Sequence, residues 1–172
     1  MEDIMNKKTL LVLILTAITV SVFAQTTASA SITLTGVMDK KVAITATGVG
    51  NYDSLDMSAS VADQAVVLVN EYSNVREGYT VTLSSANASS GDTADAYFLG
   101  AEGSETLTYT ITYDGVAVSF GGGSAEITSS NDKTPLAGTD KSLAISYNAY
   151  GANDNLGNDI YTDELTFTIT AK

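Results

Sequence analysis

Apolar and hydroxyl side chains alternate strictly over residues 106–113, and this period of two is the feature that most limits what the chain can fold into. In an extended strand, Leu107, Tyr109, Ile111 and Tyr113 point to one face and the intervening threonines to the other. Such alternation is typical of an antiparallel strand that has one buried face and one solvated face. No segment after the N-terminal apolar run has a sustained helical period.

The same alternation recurs along the chain and predicts a series of strands. The run 65–69 is apolar on both faces, which predicts a more central strand. The other predicted strands are 31–38, 42–47, 79–84, 96–99, 116–120, 143–148 and 164–170.

Turn-forming residues separate these strands. Asp114-Gly115 lies between two alternating runs, which is a strong signal for a tight β-hairpin. Segments rich in Gly, Asn or Asp follow the same logic at 90–92, 121–123 and 153–159. Many short strands joined by such turns predict a single all-β domain over residues 25–172, and the simplest fold of this kind is a Greek-key β-sandwich.

Several classes of site are excluded by residues that the chain lacks. It has no Cys and no His, which excludes a Ser-His-Asp triad, a thiol nucleophile, a His- or thiolate-ligated metal and any disulfide. Its 8 basic residues against 20 acidic residues give a formal net charge of −12, so a nucleic-acid backbone would be repelled. No pair of carboxylates stands out as a glycosidase pair. We therefore predict a protein that is not an enzyme and that uses no cofactor.

The N-terminal segment has the pattern of an export signal. Lys7 and Lys8 precede an apolar run over residues 10–23, which is shorter than the roughly 20 residues of a membrane span. We predict a cleaved signal over residues 1–24, with cleavage after Ala30 as the alternative and Met5 as a second possible start. A retained anchor helix is the less favoured interpretation. The mature protein is expected in the periplasm, on the cell surface or outside the cell.

Carboxylates near the C-terminus raise the question of a calcium site. Asp154 and Asp159 lie in an acidic, amide-rich stretch, and Asp163 follows it, so the segment has the oxygen ligands that a hard cation prefers. It lacks the spacing of a calcium-binding helix–loop–helix, and a solvated loop is the simpler interpretation. We predict no bound metal, with these three residues as weak candidates.

Tyrosines could instead form a platform for a sugar. The possible pairs are Tyr147 with Tyr150 and Tyr72 with Tyr97. Such platforms often use Trp, which the chain lacks, and Tyr147 falls on a predicted core face. A secreted, non-catalytic module that binds a glycan or calcium is therefore the alternative to a structural role.

The first predicted strand after the leader, residues 31–38, could pair in its own domain or in another. Ile32, Leu34, Gly36 and Met38 share one face, and a charged Asp39-Lys40-Lys41 segment joins them to the rest. Burying the three large side chains at about 1.5–3 kcal/mol each gives on the order of 5–9 kcal/mol before ordering costs. A strand added to a neighbour's sheet would gain main-chain hydrogen bonds as well. The residues alone leave both pairings open.

Three segments resemble the spore coat protein U family, which includes subunits of archaic chaperone–usher pili. They are Gly78-Tyr79-Thr80-Val81-Thr82-Leu83, then residues 107–114, and the closing Tyr161-Thr162-Asp163-Glu164-Leu165-Thr166-Phe167-Thr168-Ile169. The cysteine pair that many members carry is missing, and the Gly that precedes the closing Tyr is displaced to Gly157.

The resemblance implies a fold, a role and partners. The fold would be an immunoglobulin-like Greek-key β-sandwich that lacks one strand, and residues 31–38 would be the donor strand that completes the next subunit. The role would be that of a fimbrial-like structural or adhesive subunit that polymerises by donor-strand complementation. Its partners would be other copies or related subunits, a periplasmic chaperone and an outer-membrane usher.

Overall fold

The computed structural model describes residues 27, 29–91, 93–102, 105–150 and 156–172. The predicted export signal, residues 1–24, lies outside this part of the chain. The chain divides into two units at Met38 and Asp39, and all the described strands belong to the compact unit Asp39–Lys172.

This unit consists almost entirely of strands, as the period of two predicts. The elements in chain order are β1 (Val42–Gly48), β2 (Val61–Ser73), β3 (Tyr79–Ser85), α1 (Ala86–Gly91), β4 (Ala96–Gly100), β5 (Thr106–Tyr113), β6 (Val116–Val118), β7 (Ser124–Ser130), β8 (Thr139–Tyr147), β9 (Tyr161–Thr162) and β10 (Leu165–Ala171).

The strands form two antiparallel sheets that enclose a shared core. The larger sheet has the order β1-β2-β8-β5-β4-β9, with the short β6 also paired to β5. The smaller sheet has the order β10-β3-β7. Both sheets contribute to one hydrophobic cluster, which confirms the predicted all-β, sandwich-like character of the domain. β2 lies between β1 and β8, so the prediction of an interior strand at 65–69 is also confirmed.

The predicted core faces are the buried faces. On β5, Tyr109, Ile111 and Tyr113 are buried, whereas the threonines between them are exposed or half-buried. The same alternation buries every second residue of β3 and of the second half of β8. β10 differs, since its inward residues are only half-buried.

The turn signals were informative at 114–115 and misleading at 90–92. Asp114 and Gly115 both have positive φ, 50° and 78°, as a two-residue hairpin with the right-handed strand twist requires. The short helix α1, whose last residues are Ser90 and Gly91, occupies what the sequence indicated as a turn. β7 was not predicted, because its alternation is weak and its register with β3 shifts between Val81 and Thr82.

A buried carboxylate connects the two sheets. Glu71 on β2 is fully buried and accepts hydrogen bonds from the hydroxyls of Tyr113 at 2.6 Å, Thr128 at 2.8 Å and Tyr79 at 2.9 Å. The ammonium group of Lys141 lies 3.4 Å from Glu71 Oε2. Tyr79 and Thr128 belong to the smaller sheet and the others to the larger one. These five residues, the Glu71 cluster, fix how the sheets face each other, because a buried charge must keep its partners.

Loss of one hydroxyl from the Glu71 cluster should lower the free energy of unfolding. Tyr113→Phe removes the 2.6 Å hydrogen bond to the buried carboxylate, so we expect the free energy of unfolding in urea to fall by about 1.5–3 kcal/mol. The matched control is Tyr147→Phe, because the Tyr147 hydroxyl donates to the neutral backbone oxygen of Asp56 at 3.2 Å, and its loss should cost only about 0.5–1.5 kcal/mol. Equal losses in the two variants would contradict the importance of the buried charge.

The buried tyrosines should make the folded protein less stable at high pH. Burial raises the pKa of Tyr79 and of Tyr113, and the hydrogen bond to Glu71 raises both further. Burial, followed by the hydrogen bond to Asp163, also raises the pKa of Tyr109. The unfolded chain would lose the protons of these tyrosines near pH 10, whereas the folded chain keeps them. The tyrosines therefore make their full contribution to the free energy of unfolding below about pH 10, and this contribution is lost as the pH rises above about 10.

We therefore expect the free energy of unfolding to be constant from about pH 8 to pH 9.5 and to fall above about pH 10. Urea denaturation at each pH measures it, and tyrosinate absorbance reports the ionisation. In Tyr113→Phe the fall should be shallower, since one of the perturbed groups is gone. A stability that stays flat above pH 10 would contradict this expectation.

Candidate functional site: the groove between β1 and β10

Two outer strands, one from each sheet, lie side by side without pairing. β1 is one of the two edge strands of the larger sheet, and β10 is one of the two edge strands of the smaller sheet. Their Cα atoms approach within 8 Å, yet no ladder of hydrogen bonds joins them. The two strands run in opposite directions, since Lys40 Nζ, just before β1, donates a hydrogen bond to the backbone oxygen of Lys172, just after β10, at 2.8 Å. The space between them is called the β1–β10 groove below.

Neither strand of the groove has the features that usually protect a sheet edge. Edge strands commonly carry charged residues, proline or a bulge, or are very short. β1 and β10 are seven residues each, contain no charge and no proline, and pair with their inner neighbours without a register shift. By contrast, β7 carries Glu126 and a register shift, and β9 is only two residues long. Each edge of the β1–β10 groove therefore has the regular, unprotected backbone to which a further strand can pair.

The apolar face of β10 is covered incompletely. Leu165, Phe167 and Ile169 are half-buried, whereas Leu83 and Val81, their neighbours on β3, are fully buried. The Phe167 ring lies 6.3 Å from the ring of Tyr113, so its inner side packs on the core. These three side chains therefore keep apolar surface that a further element could cover.

A cavity of about 170 Å³ lies at the Leu165 end of the groove. It is mainly apolar, and its walls include Tyr52, Leu55, Val66, Val67, Phe98 and Leu165. An engineered apolar cavity of about 150 Å³ holds a benzene molecule, so this one has room for one large apolar side chain.

A strand that pairs with both edges needs more room than the groove offers at its narrow points. Paired strands lie about 4.8 Å apart, so two flanking strands must be about 9.6 Å apart. Some Cα atoms of β1 and β10 lie within 8 Å of each other. The strands must therefore separate by at least about 1.5 Å there before a third strand can enter fully.

The predicted donor face lies in residues 31–38, outside the compact unit. The strand predicted over residues 31–38 is not formed in this chain, because a strand is defined by hydrogen bonds to a partner and these residues have none of that kind in their own domain. Ile32, Leu34 and Met38 are 84%, 87% and 85% exposed, respectively. A Cβ built on Gly36 would meet nothing within 4 Å. The donor-face residues thus keep their apolar side chains in solvent.

The weak metal candidates lie in different settings. Asp163 Oδ2 accepts hydrogen bonds from Ser85 Oγ and from the Tyr109 hydroxyl, both at 2.7 Å, and Oδ1 accepts one from the Asn87 backbone N–H at 3.1 Å. Asp159 accepts backbone hydrogen bonds from Glu102 and Ile160, both at 2.7 Å. Asp154 lies outside the described residues. Within the part of the chain that the structure describes, no group of three or more carboxylates could hold a metal ion.

The tyrosine pairs do not form a sugar platform. Tyr147 is buried in the core, where its ring packs edge-on against Phe98, so it cannot stack on a sugar beside the half-exposed Tyr150. Tyr72 and Tyr97 lie on β2 and β4, which are separated by two strands in the sheet. Tyr97 also uses its hydroxyl to donate to the backbone oxygen of Asn87 at 2.7 Å.

Comparison with protein-family models and with curated proteins finds no match for this sequence. Among the residues that the structure describes, no helix has the length and apolar character needed to cross a membrane.

Asp163 should act as a structural carboxylate and not as a calcium ligand. We expect Asp163→Asn to lower the free energy of unfolding by about 1.5–3 kcal/mol, because a charged acceptor of three hydrogen bonds is lost. The loss should be the same in calcium and in a chelator. The control is Asp159→Asn, which should cost less because Asp159 accepts two hydrogen bonds and Asp163 accepts three. A melting temperature that calcium raises in the unmodified protein but not in Asp163→Asn would contradict this assignment.

Proposed function

We propose that this protein is an exported structural or adhesive surface subunit whose copies assemble by exchanging a strand. In this proposal the domain is an immunoglobulin-like Greek-key sandwich that lacks one strand, and residues 31–38 of one copy fill the β1–β10 groove of the next. The observation that carries the proposal is the groove itself, which is bordered by two regular, unprotected edges, one of which, β10, has half-buried apolar side chains.

Residues 31–38 fit the groove in length and in pattern. At about 3.3 Å per residue, they span roughly 26 Å and the seven residues of β10 roughly 23 Å. Ile32, Leu34 and Met38 recur with the period of two that a half-covered sheet edge can bury. Because these side chains are exposed in the described structure, covering them by a neighbouring copy would remove apolar area from water on both partners.

The energy available is adequate for a stable contact. Burying Ile32, Leu34 and Met38 supplies on the order of 5–9 kcal/mol, and covering the half-buried Phe167 and Ile169 adds to it. Association of two molecules costs about 4–15 kcal/mol before any contact is counted. Main-chain hydrogen bonds along β1 and β10 would add to the apolar contribution.

The resemblance to the spore coat protein U family supports the same role. The first resembling segment corresponds to β3, the central strand of the smaller sheet, and the second corresponds to β5, an interior strand of the larger sheet. The third covers β9 and β10, and β10 forms one side of the groove. On this proposal a periplasmic chaperone covers the groove before assembly and an outer-membrane usher exports the subunit. The N-terminal segment 1–24 would direct the chain to that route. Without cysteines, stability comes from packing and strand pairing.

The direct test is to place a charge on each face of the donor segment. We expect Leu34→Asp in the mature protein to weaken assembly by at least about 100-fold, because an unpaired carboxylate would have to enter the apolar groove. The matched control is Thr33→Asp, which adds the same charge one residue away on the opposite face and should assemble within about threefold of the unmodified protein. Analytical ultracentrifugation over a range of concentrations measures the association.

Both variants lie outside the compact unit, so neither should change the melting temperature of the unassociated monomer, measured at a concentration below that of assembly. If Leu34→Asp assembles as well as Thr33→Asp, or if the unmodified protein remains a monomer at high concentration, strand exchange through this face is wrong.

A further inference from the structure

Alternation by itself does not fix the register of a strand in the β1–β10 groove. A slip of one residue turns the apolar face of residues 31–38 outward, but a slip of two residues keeps it inward. A two-residue slip moves the strand by about 6.6 Å along the groove. Since a regular edge offers the same backbone groups at each step, something at an end of the groove must stop the strand if copies are to assemble uniformly.

The aromatic ring of Tyr52 stands at one end of the groove. Gly48, the last residue of β1, lies so close beneath this ring that a Cβ built on it would overlap the ring carbons. Gly48 pairs with Val67, which lines the 170 Å³ cavity together with Leu165, the first residue of β10. Tyr52 is 54% exposed, so one side of the ring covers the end of β1 and the other side meets solvent.

Tyr52 also lines two neighbouring cavities. It lines the 170 Å³ cavity beside Leu165 and a second one of about 320 Å³ that is bordered by β9 and by the loop that precedes β2. Leu55, Phe98 and Asp163 line both cavities as well. A strand that advances along the groove past Leu165 would have to pass the Tyr52 ring before it could reach the larger cavity.

We infer that Tyr52, held on Gly48, is the end-stop that fixes the register of the strand bound in the β1–β10 groove; this inference rests on the proposed function. The ring blocks a strand that has slipped towards the larger cavity. It also forms part of the wall of the smaller cavity, which has room for one large apolar side chain of the donor strand. Tyr52 is therefore a positioning residue that decides which donor side chain lies beside Leu165.

The composition of the donor face explains why the stop matters. Ile32, Leu34 and Met38 are large, but Gly36 has no side chain to place in the cavity. A two-residue slip that brings Gly36 beside Leu165 leaves the cavity unfilled, and another slip fills it with a different large side chain. Tyr52 selects one of these registers of the donor strand. Without Tyr52, registers that differ by two residues become populated as well.

Disulfide trapping between two full-length mature proteins can report the register directly. The chain has no Cys, so two introduced thiols can form only one heterodisulfide. One protein carries Leu165→Cys, and the other carries Cys in place of Ile32, Leu34, Gly36 or Met38, in four separate mixtures. Non-reducing gel electrophoresis isolates the linked dimers, and mass spectrometry of the disulfide-linked peptides measures the heterodimer apart from the two homodimers. We expect one donor position to exceed the others by at least about tenfold.

The variant that tests the stop is Tyr52→Ala in the protein that carries Leu165→Cys. We expect the preferred position and the one two residues away to link to within about threefold of each other. Gly48→Ala is a second route to the same result, because its methyl group must push the ring off the end of β1. Tyr52→Phe keeps the ring and should restore the single preferred position. Far-UV circular dichroism establishes that each variant is folded.

The outcomes separate this inference from the proposed function. A single preferred position that persists in both Tyr52→Ala and Gly48→Ala overturns the role of Tyr52 and leaves strand exchange standing. Even linkage at all four positions in the protein with Tyr52 intact also overturns it. No linked dimer at any position, in mixtures where each protein is folded, overturns the strand exchange on which the inference rests.

Discussion

Backbone hydrogen bonding at the outer edges of the two sheets is the constraint on which the proposed assembly depends. A strand edge presents N–H and C=O groups at every second residue, and natural proteins usually hide or interrupt them. Here β7 is interrupted by a register shift, whereas β1 and β10 are regular and uncharged. The smaller sheet has only three strands, so the exposure of one edge leaves a third of that sheet half-covered.

Most of the architecture follows from side-chain alternation alone. The buried residues of β3, β5 and β8 are those that the period of two places on one face, and Asp114-Gly115 forms the hairpin that its residues predict. These features are local, so one strand and its neighbouring turn contain the whole signal. The short helix α1 was missed because six residues are too few to show a helical period.

The site was harder to predict because it depends on which strands become neighbours. Nothing in residues 42–48 or 165–171 indicates that they lie on opposite sides of one groove, and sheet order is a long-range property. Glu71 was missed for the same reason. Its four partners come from β3, β5, β7 and β8, and a Glu near the end of a strand normally indicates a solvated edge. The one available indication was that tyrosines on predicted core faces need a hydrogen-bond acceptor, which Glu71 supplies.

The shortness of the junction between residues 38 and 42 has a mechanical consequence for the proposed assembly. Asp39, Lys40 and Lys41 join the donor segment directly to β1, which itself borders the acceptor groove. Tension applied along a chain of such subunits would pass from each inserted segment into β1, in the direction of the strands. A β-ladder that is pulled parallel to its strands resists separation strongly, because all its hydrogen bonds are loaded at the same time. The absence of a flexible linker would thus make the polymer stiff and resistant to pulling.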